Sequence, residues 1–408
     1  MSILSPRLTD DAVARLAADP RCVRAVDWIE RNSAWLTEQQ VRLTEIPAPE
    51  MREARRAEAV KALFAECGLK AAIDAIGNVV AERPGVEKSE KHGVILFAAH
   101  IDTVFPENTE IKIKRDGRRL VGPGISDNGA GISSLVGLAH ALLESRVQTE
   151  KTIVLAGDVG EEGEGNLRGI RRLVEIYGSR LSAVIAVDGP STDYITTQGV
   201  ASRRFELSVT GPGGHSWSNF GAPNPITAIA RGIVRFSEFR VPVDPRTSYN
   251  FGVIEGGSAV NSIPTHASVK VDLRSEDEPE LARIESALRE AMQTGLRDEL
   301  AITNRSGNAL SLRFRLLGAR PAGKLPSDSP LLAAIRNVDR FLGNRSRTER
   351  SSTDANLPLS LGIPAVALGG GGSGGGAHTL DEWYDPTGRE LGLKRLLLIA
   401  LALAGVHA

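Results

Sequence analysis

Residues 93–99 read Gly-Val-Ile-Leu-Phe-Ala-Ala. A strand with one face in water alternates apolar and polar residues, because successive side chains point to opposite faces. This run is apolar almost throughout, so it predicts a short strand covered on both faces. Two further runs have the same character, Lys-Thr-Ile-Val-Leu-Ala-Gly at 151–157 and Leu-Ser-Ala-Val-Ile-Ala-Val at 181–187. Between them, 131–145 and 165–177 carry apolar residues at helical spacing. Strands alternating with helices predict an α/β layer structure with a mostly parallel sheet flanked by helices. Upstream, 24–43 and 53–67 read as helices and 78–82 as a strand. Downstream, 330–342 reads as a helix, 365–368 as a strand, and a last helix starts at Gly388.

The pattern changes near Gln198. Residues 202–210 alternate as a half-exposed strand, and Pro225 opens a helix over 224–239. Strands follow at 249–255 and 267–273, a charge-rich helix at 278–294 and a strand at 310–317. That order, β-α-β-β-α-β, is the pattern of a small ferredoxin-like α+β sandwich. The chain has 408 residues, too many for one ordinary core. We therefore expect a main domain over 1–197 and 318–408, with 198–317 inserted as a second domain.

Bulk properties exclude several classes. Net charge is -1, so no basic excess attracts nucleic acid or an anionic membrane. The two cysteines, Cys22 and Cys67, fit no metal or redox spacing and read as free thiols in a reducing compartment. The first residues lack the long apolar segment of a signal peptide. The longest apolar stretch, 396–406, is far short of the roughly 20 residues that span a bilayer. The expectation is a cytoplasmic protein.

The candidate chemistry sits just after the apolar runs or in glycine-rich loops, where open α/β sheets bind ligands. His100 ends the first run, and Asp102, two residues on, points to the same side. A carboxylate there can hold the second ring nitrogen of a ligating histidine. Asp127 lies among glycines in Gly122-Pro-Gly-Ile-Ser-Asp127-Asn-Gly-Ala-Gly131 and could equally cap the following helix. Glu161 and Glu162 adjoin in Gly160-Glu-Glu-Gly-Glu-Gly165; such neighbours repel unless a cation or proton intervenes, although a solvated acidic loop reads the same way. Asp188 follows the third run, and His378 follows the glycine run 369–376. Singly, each is unremarkable. Together, two imidazoles and three carboxylates can give each of two metals one histidine, one terminal carboxylate and one shared carboxylate.

Five motifs, AHIDTV, GISDNGAG, GEEGEGN, VDGP and AHTLDEW, occur in one order from about residue 30 to the end. In this the chain resembles the aminoacylase and carboxypeptidase-G-like family of co-catalytic di-zinc peptidases, in its tripeptide-aminopeptidase-like branch. The resemblance implies Asp127 as a bridging ligand, with His100 and Asp188 on one metal and Glu162 and His378 on the other. It implies Glu161 as general base and Asp102 as the residue orienting His100. In the inserted lid, it implies that His215 stabilises the oxyanion in a neighbouring subunit's site, that Asn261 and Arg274 bind substrate, and that the lid forms a homodimer. An arginine suits a substrate carboxylate, which its planar fork can clamp in bidentate fashion. The metals are expected to be Zn2+, with Co2+ or Mn2+ also compatible with mixed oxygen and nitrogen ligands.

The activity implied is hydrolysis of an amide bond in a di- or tripeptide; N-acyl-amino-acid deacylation would use the same residues. A non-catalytic binding protein of this fold would have lost a ligand or the base, and none is missing. The glycine run lacks the Lys-Ser/Thr ending of a phosphate loop and reads as a flexible linker, or as bare backbone beside the site. His140, in an apolar helix, reads as a satisfied or semi-exposed structural histidine, and His92, His266 and His407 as polar or terminal ones. Ser352-Thr-Asp-Ala-Asn356 resembles another family segment near the site, with no role assigned.

Overall fold

The structure is a computed structural model that describes residues 10–87, 93–303 and 309–407. His92 lies outside the described residues. The chain divides into two compact units, 1–199 with 323–408, and 200–322.

In the first unit, the three apolar runs are the strands Val94–His100, Thr152–Asp158 and Leu181–Val187. They pair in parallel with Val94–His100 in the middle, and Ala365–Leu368 extends the parallel set beyond Leu181–Val187. Val94–His100 and Leu181–Val187 are buried at every residue, as continuous apolar composition requires. The sheet turns antiparallel at both edges, through Val79–Arg83 on one side and Tyr194–Gly199 on the other. The result is a mixed α/β fold with a parallel centre flanked by helices.

Three sequence expectations need correction. The helix expected over 24–43 is two helices, Pro20–Arg31 and Ser33–Thr44. Asn32 breaks it: its side-chain amide donates to Trp28 O at 2.8 Å and competes with the helical backbone. The helix expected from 165 starts at Arg168, because Asn166 and Leu167 hold φ of 56° and 59°. The glycine run is no flexible linker. A Cβ on Gly369 would collide with Ser191 O, on Gly370 with Ser134 Oγ, and on Gly371 with Arg389 O. These three positions are packed against neighbouring atoms, and only glycine fits them.

The second unit contains strands Ala201–Thr210, Thr247–Gly256, His266–Ser275 and Ser311–Arg320, with helices Pro225–Ser237 and Glu278–Ala301. His266–Ser275 and Ala201–Thr210 are the central strands, flanked by Thr247–Gly256 and Ser311–Arg320, all antiparallel. Phe205, Leu207, Val271, Ile229, Phe236 and Leu288 form its core, separate from that of the first unit. This is the ferredoxin-like order expected from the pattern. Cys22 and Cys67 are buried free thiols, and burial pushes them up to about 11 and about 12. Half-buried His140 stacks on Trp28 with ring centroids 4.9 Å apart, a structural packing role. Among the described residues, no helix is long and apolar enough to cross a membrane.

Candidate metal centre

The parallel strands deliver their carboxyl ends side by side. Ile101 N donates to Asp158 O at 2.7 Å, and Asp188 N to Leu368 O at 2.9 Å, so the segments leaving neighbouring strands start level. His100 is the last residue of its strand, Asp188 the first after its own, and Glu162 stands in the loop after Asp158. His378 follows the packed glycine run and holds φ of 67°, a conformation that non-glycine residues adopt at a cost.

These five side chains converge. Asp127 is central: its Oδ1 lies 3.2 Å from His100 Nε2, and its Oδ2 lies 3.3 Å from His378 Nε2. Asp188 Oδ1 stands 3.9 Å from His100 Nε2, while Glu162 Oε1 stands 3.0 Å from His378 Nε2. One aspartate therefore spans two histidines, each with its own second carboxylate. Asp127 is not the helix cap; Asn128 is, accepting from Gly131 N at 3.0 Å.

The donor set fits divalent cations. Ligand atoms of His100, Asp127 and Glu162 all lie within 4.8 Å of one another. Buried Asp127 Oδ1 has no hydrogen-bond partner, although buried oxygens rarely go without one. The electrostatics carry the same imprint. His100 is fully buried, which opposes its charge, yet the carboxylates of Asp127, Asp188 and Asp102 hold its pKa well above the ordinary value. His378 rises to about 10 because Asp127 and Glu162 flank its ring. Burial raises the Asp127 pKa, but the two histidines outweigh it and bring it below the usual carboxylate range. The site is a sink for positive charge.

Asp102 is fully buried, and its carboxylate accepts from Glu161 N at 3.1 Å and Glu162 N at 2.8 Å. Its distance to His100 Nδ1 is 3.7 Å, longer than a hydrogen bond. In this geometry it fixes the backbone of the two glutamates. Glu50 braces the next turn, accepting from Glu164 N at 2.8 Å; burial, with Asp102 nearby, pushes it up to about 7. Behind the site, Asp158 and Asp354 form a buried acid pair. Burial raises Asp158 to about 7 and lifts Asp354 well above the carboxylate range. Asp354 belongs to the Ser352–Asn356 segment, which its sequence left without a role. A cavity of about 210 Å³ opens beside Asp188, lined by Thr196, Glu349, Ser351 and Thr353 among others.

Glu50, Asn128, Asp158 and Glu382 were missed as supporting residues. Glu382 stands in the AHTLDEW motif, but nothing local in its sequence reveals that it faces another loop.

In the second unit, His215 pairs with Ser262 across a short antiparallel bridge, and Ser216 N donates to Asn261 O at 3.0 Å. His215 and Asn261 thus lie beside each other at one short two-stranded pairing, although a helix and a long strand separate them in sequence. His215 Nδ1 accepts from Trp217 N at 3.2 Å and Ser218 N at 3.3 Å. An Nδ1 that accepts leaves the ring proton on Nε2. Arg274 Nε donates to Asp272 at 2.6 Å.

Known proteins carry similar sequences and folds. A hydrolase of Pyrococcus abyssi named for LysW-lysine and LysW-ornithine is 26% identical over 336 residues, 81% of this chain and 83% of its own. An acetylornithine deacetylase of Yersinia pseudotuberculosis is 23% identical, covering 79% of this chain and 84% of its own. The crystal structure of a tripeptidase from Staphylococcus aureus superposes with a TM-score of 0.72 at 20% identity, over 91% of this chain and 99% of that one. The model of peptidase family M20/M25/M40 matches residues 96–402, a span holding all five converging side chains, and the chain belongs to that family of hydrolases.

Proposed function

We propose that the chain hydrolyses an amide bond in a small peptide, a di- or tripeptide, using two divalent metal ions. The carrying observation is the placement of Asp127 between His100 and His378, each ring having its own carboxylate, Asp188 or Glu162. His100, Asp127 and Asp188 would hold one ion, and Glu162, Asp127 and His378 the other. Zinc suits this set; cobalt and manganese do too. When bound, such ions polarise a carbonyl and make water a nucleophile near neutral pH.

The other roles fall to protein groups. Glu161 takes the proton of the attacking water and passes it to the leaving amine. Its place next to Glu162, with both N–H groups held by Asp102, supports that role. His215 offers a neutral Nε2–H donor to the developing oxyanion. Arg274 clamps a substrate carboxylate, and Asn261 binds substrate beside His215. The second unit acts as lid and homodimer interface, and the protein works in the cytoplasm.

A second reading is N-acyl-amino-acid deacylation, favoured by the acetylornithine deacetylase among the sequence relatives. Metal-reconstituted protein assayed on di- and tripeptides against N-acetyl amino acids separates the two. Turnover of neither class would remove the amide-hydrolase reading of this site. Glu161→Gln should lower kcat by about 10²–10⁴ while metal content stays unchanged; retained turnover would remove Glu161 as the base.

A further inference from the structure

Glu382 lies in the last motif, four residues after His378, and is fully buried. Its partners are backbone N–H groups of the loop that carries Asp127. Oε1 accepts from Ser126 N and Asp127 N, both at 2.7 Å, and Oε2 accepts from Gly124 N at 2.9 Å. Glu382 O also accepts from Gly122 N at 2.8 Å. The strand Trp383–Asp385 then pairs antiparallel with Arg119–Val121. The turn bearing His378 and the loop bearing Asp127 are therefore joined by one carboxylate with three short bonds. Bonds from N–H groups to an ionised carboxylate are about twice as strong as neutral ones.

A second buried side chain joins Asp127 to the opposite half of the site. Asn128 Nδ2 donates to Val187 O at 2.9 Å, and Asn128 Oδ1 accepts from Gly189 N at 3.1 Å. These bonds flank Asp188. Asp127 thus has separate ties to the His378 segment, through Glu382, and to the Asp188 segment, through Asn128.

We propose that Glu382 is a positioning residue that sets the half-site of Asp127, Glu162 and His378, by fixing the loop Gly124–Asp127 against the turn that carries His378. The proposal rests on the two-metal reading above. It follows that losing this carboxylate weakens one metal step and largely spares the other, whose tie is Asn128. Glu382→Gln is the direct probe. Gln keeps the shape but turns an NH2 group towards a backbone N–H, so at least one of the three bonds is lost.

The test titrates Co2+ into metal-free wild type and Glu382→Gln, followed by calorimetry and by cobalt absorption. Wild type should take up two ions. In the variant, one step should weaken by about 10–100-fold, the range for groups supporting metal ligands, with the other within about threefold. At subsaturating metal kcat should fall with KM little changed, and excess metal should restore it. Two steps at wild-type affinity in the variant, or both weakened equally, overturn the proposal. Wild type that binds no pair of ions sinks the two-metal reading instead. Because the variant could fail to fold, hydrogen exchange on metal-free wild type gives an independent check. The Gly124, Ser126 and Asp127 amides should exchange slowly before metal is added, and fast exchange there overturns the proposal as well.

Discussion

Replacing Asp102 with Asn tests whether the glutamate loop is organised by a buried anion. The Asp102 carboxylate is fully buried and accepts two backbone N–H groups, Glu161 N at 3.1 Å and Glu162 N at 2.8 Å. Asn has nearly the same shape but one acceptor oxygen. It keeps one of these bonds in weakened, neutral form and points an NH2 group at the other N–H. A hydrogen bond to a charged group contributes about 1.5–3 kcal/mol, and a buried donor left unpaired costs about 1–3 kcal/mol. The combined loss is about 3–5 kcal/mol, shared between loop order and metal binding. If half appears in binding, affinity falls by roughly 10–100-fold, at about 1.4 kcal/mol per tenfold. Competition with a chromophoric chelator measures that affinity, and thermal unfolding of the metal-free protein measures the rest. The reasoning fails if Asp102→Asn keeps wild-type metal affinity and wild-type melting temperature. It also fails if only kcat changes, because the predicted effect passes through the geometry of Glu161 and Glu162.

Gly370→Ala should destabilise the protein by about 1–3 kcal/mol, the usual cost of overpacking, because the new Cβ meets Ser134 Oγ and Ala130 O; an unchanged denaturant midpoint would show the glycine run to be loose. Asp158 should make metal-free stability fall as pH rises. Its folded pKa, about 7, lies above its ordinary 3.8, so its contribution is complete below pH 3.8 and is lost as pH rises through 7. Asp158→Asn cannot ionise, so its melting temperature should decline less between pH 5 and pH 8 than that of the EDTA-treated wild type; an equal or steeper decline refutes the assignment.

The parallel centre of the sheet was legible because burial on both faces demands uninterrupted apolar sequence, and Val94–His100 and Leu181–Val187 obey that demand. The edges of the sheet were harder. Arg347–Ser351 is mostly exposed and has no apolar run to announce it. The helix break at Asn32 depends on a side chain choosing a local carbonyl over solvent, a choice helical spacing alone does not reveal. His100, Glu162 and Asp188 could be named from their places after strand ends, and Asp127 and His378 from their glycine-rich loops and the order of the family motifs.

By itself, then, the sequence determined the strand ends, the β-α-β-β-α-β order of the second unit and the residue types able to hold two cations. Periodicity and local chemistry are properties of neighbours in the chain. Tertiary structure alone decided the distances from Asp127 to the two histidines, the packing of the glycine run and the work of the buried carboxylates. Asp102 is 60 positions from Glu162, and Glu382 is 255 from Asp127. Hydrogen bonds across such separations form only once the strands are aligned. A carboxylate that supports such a loop looks, in sequence, like any other acid.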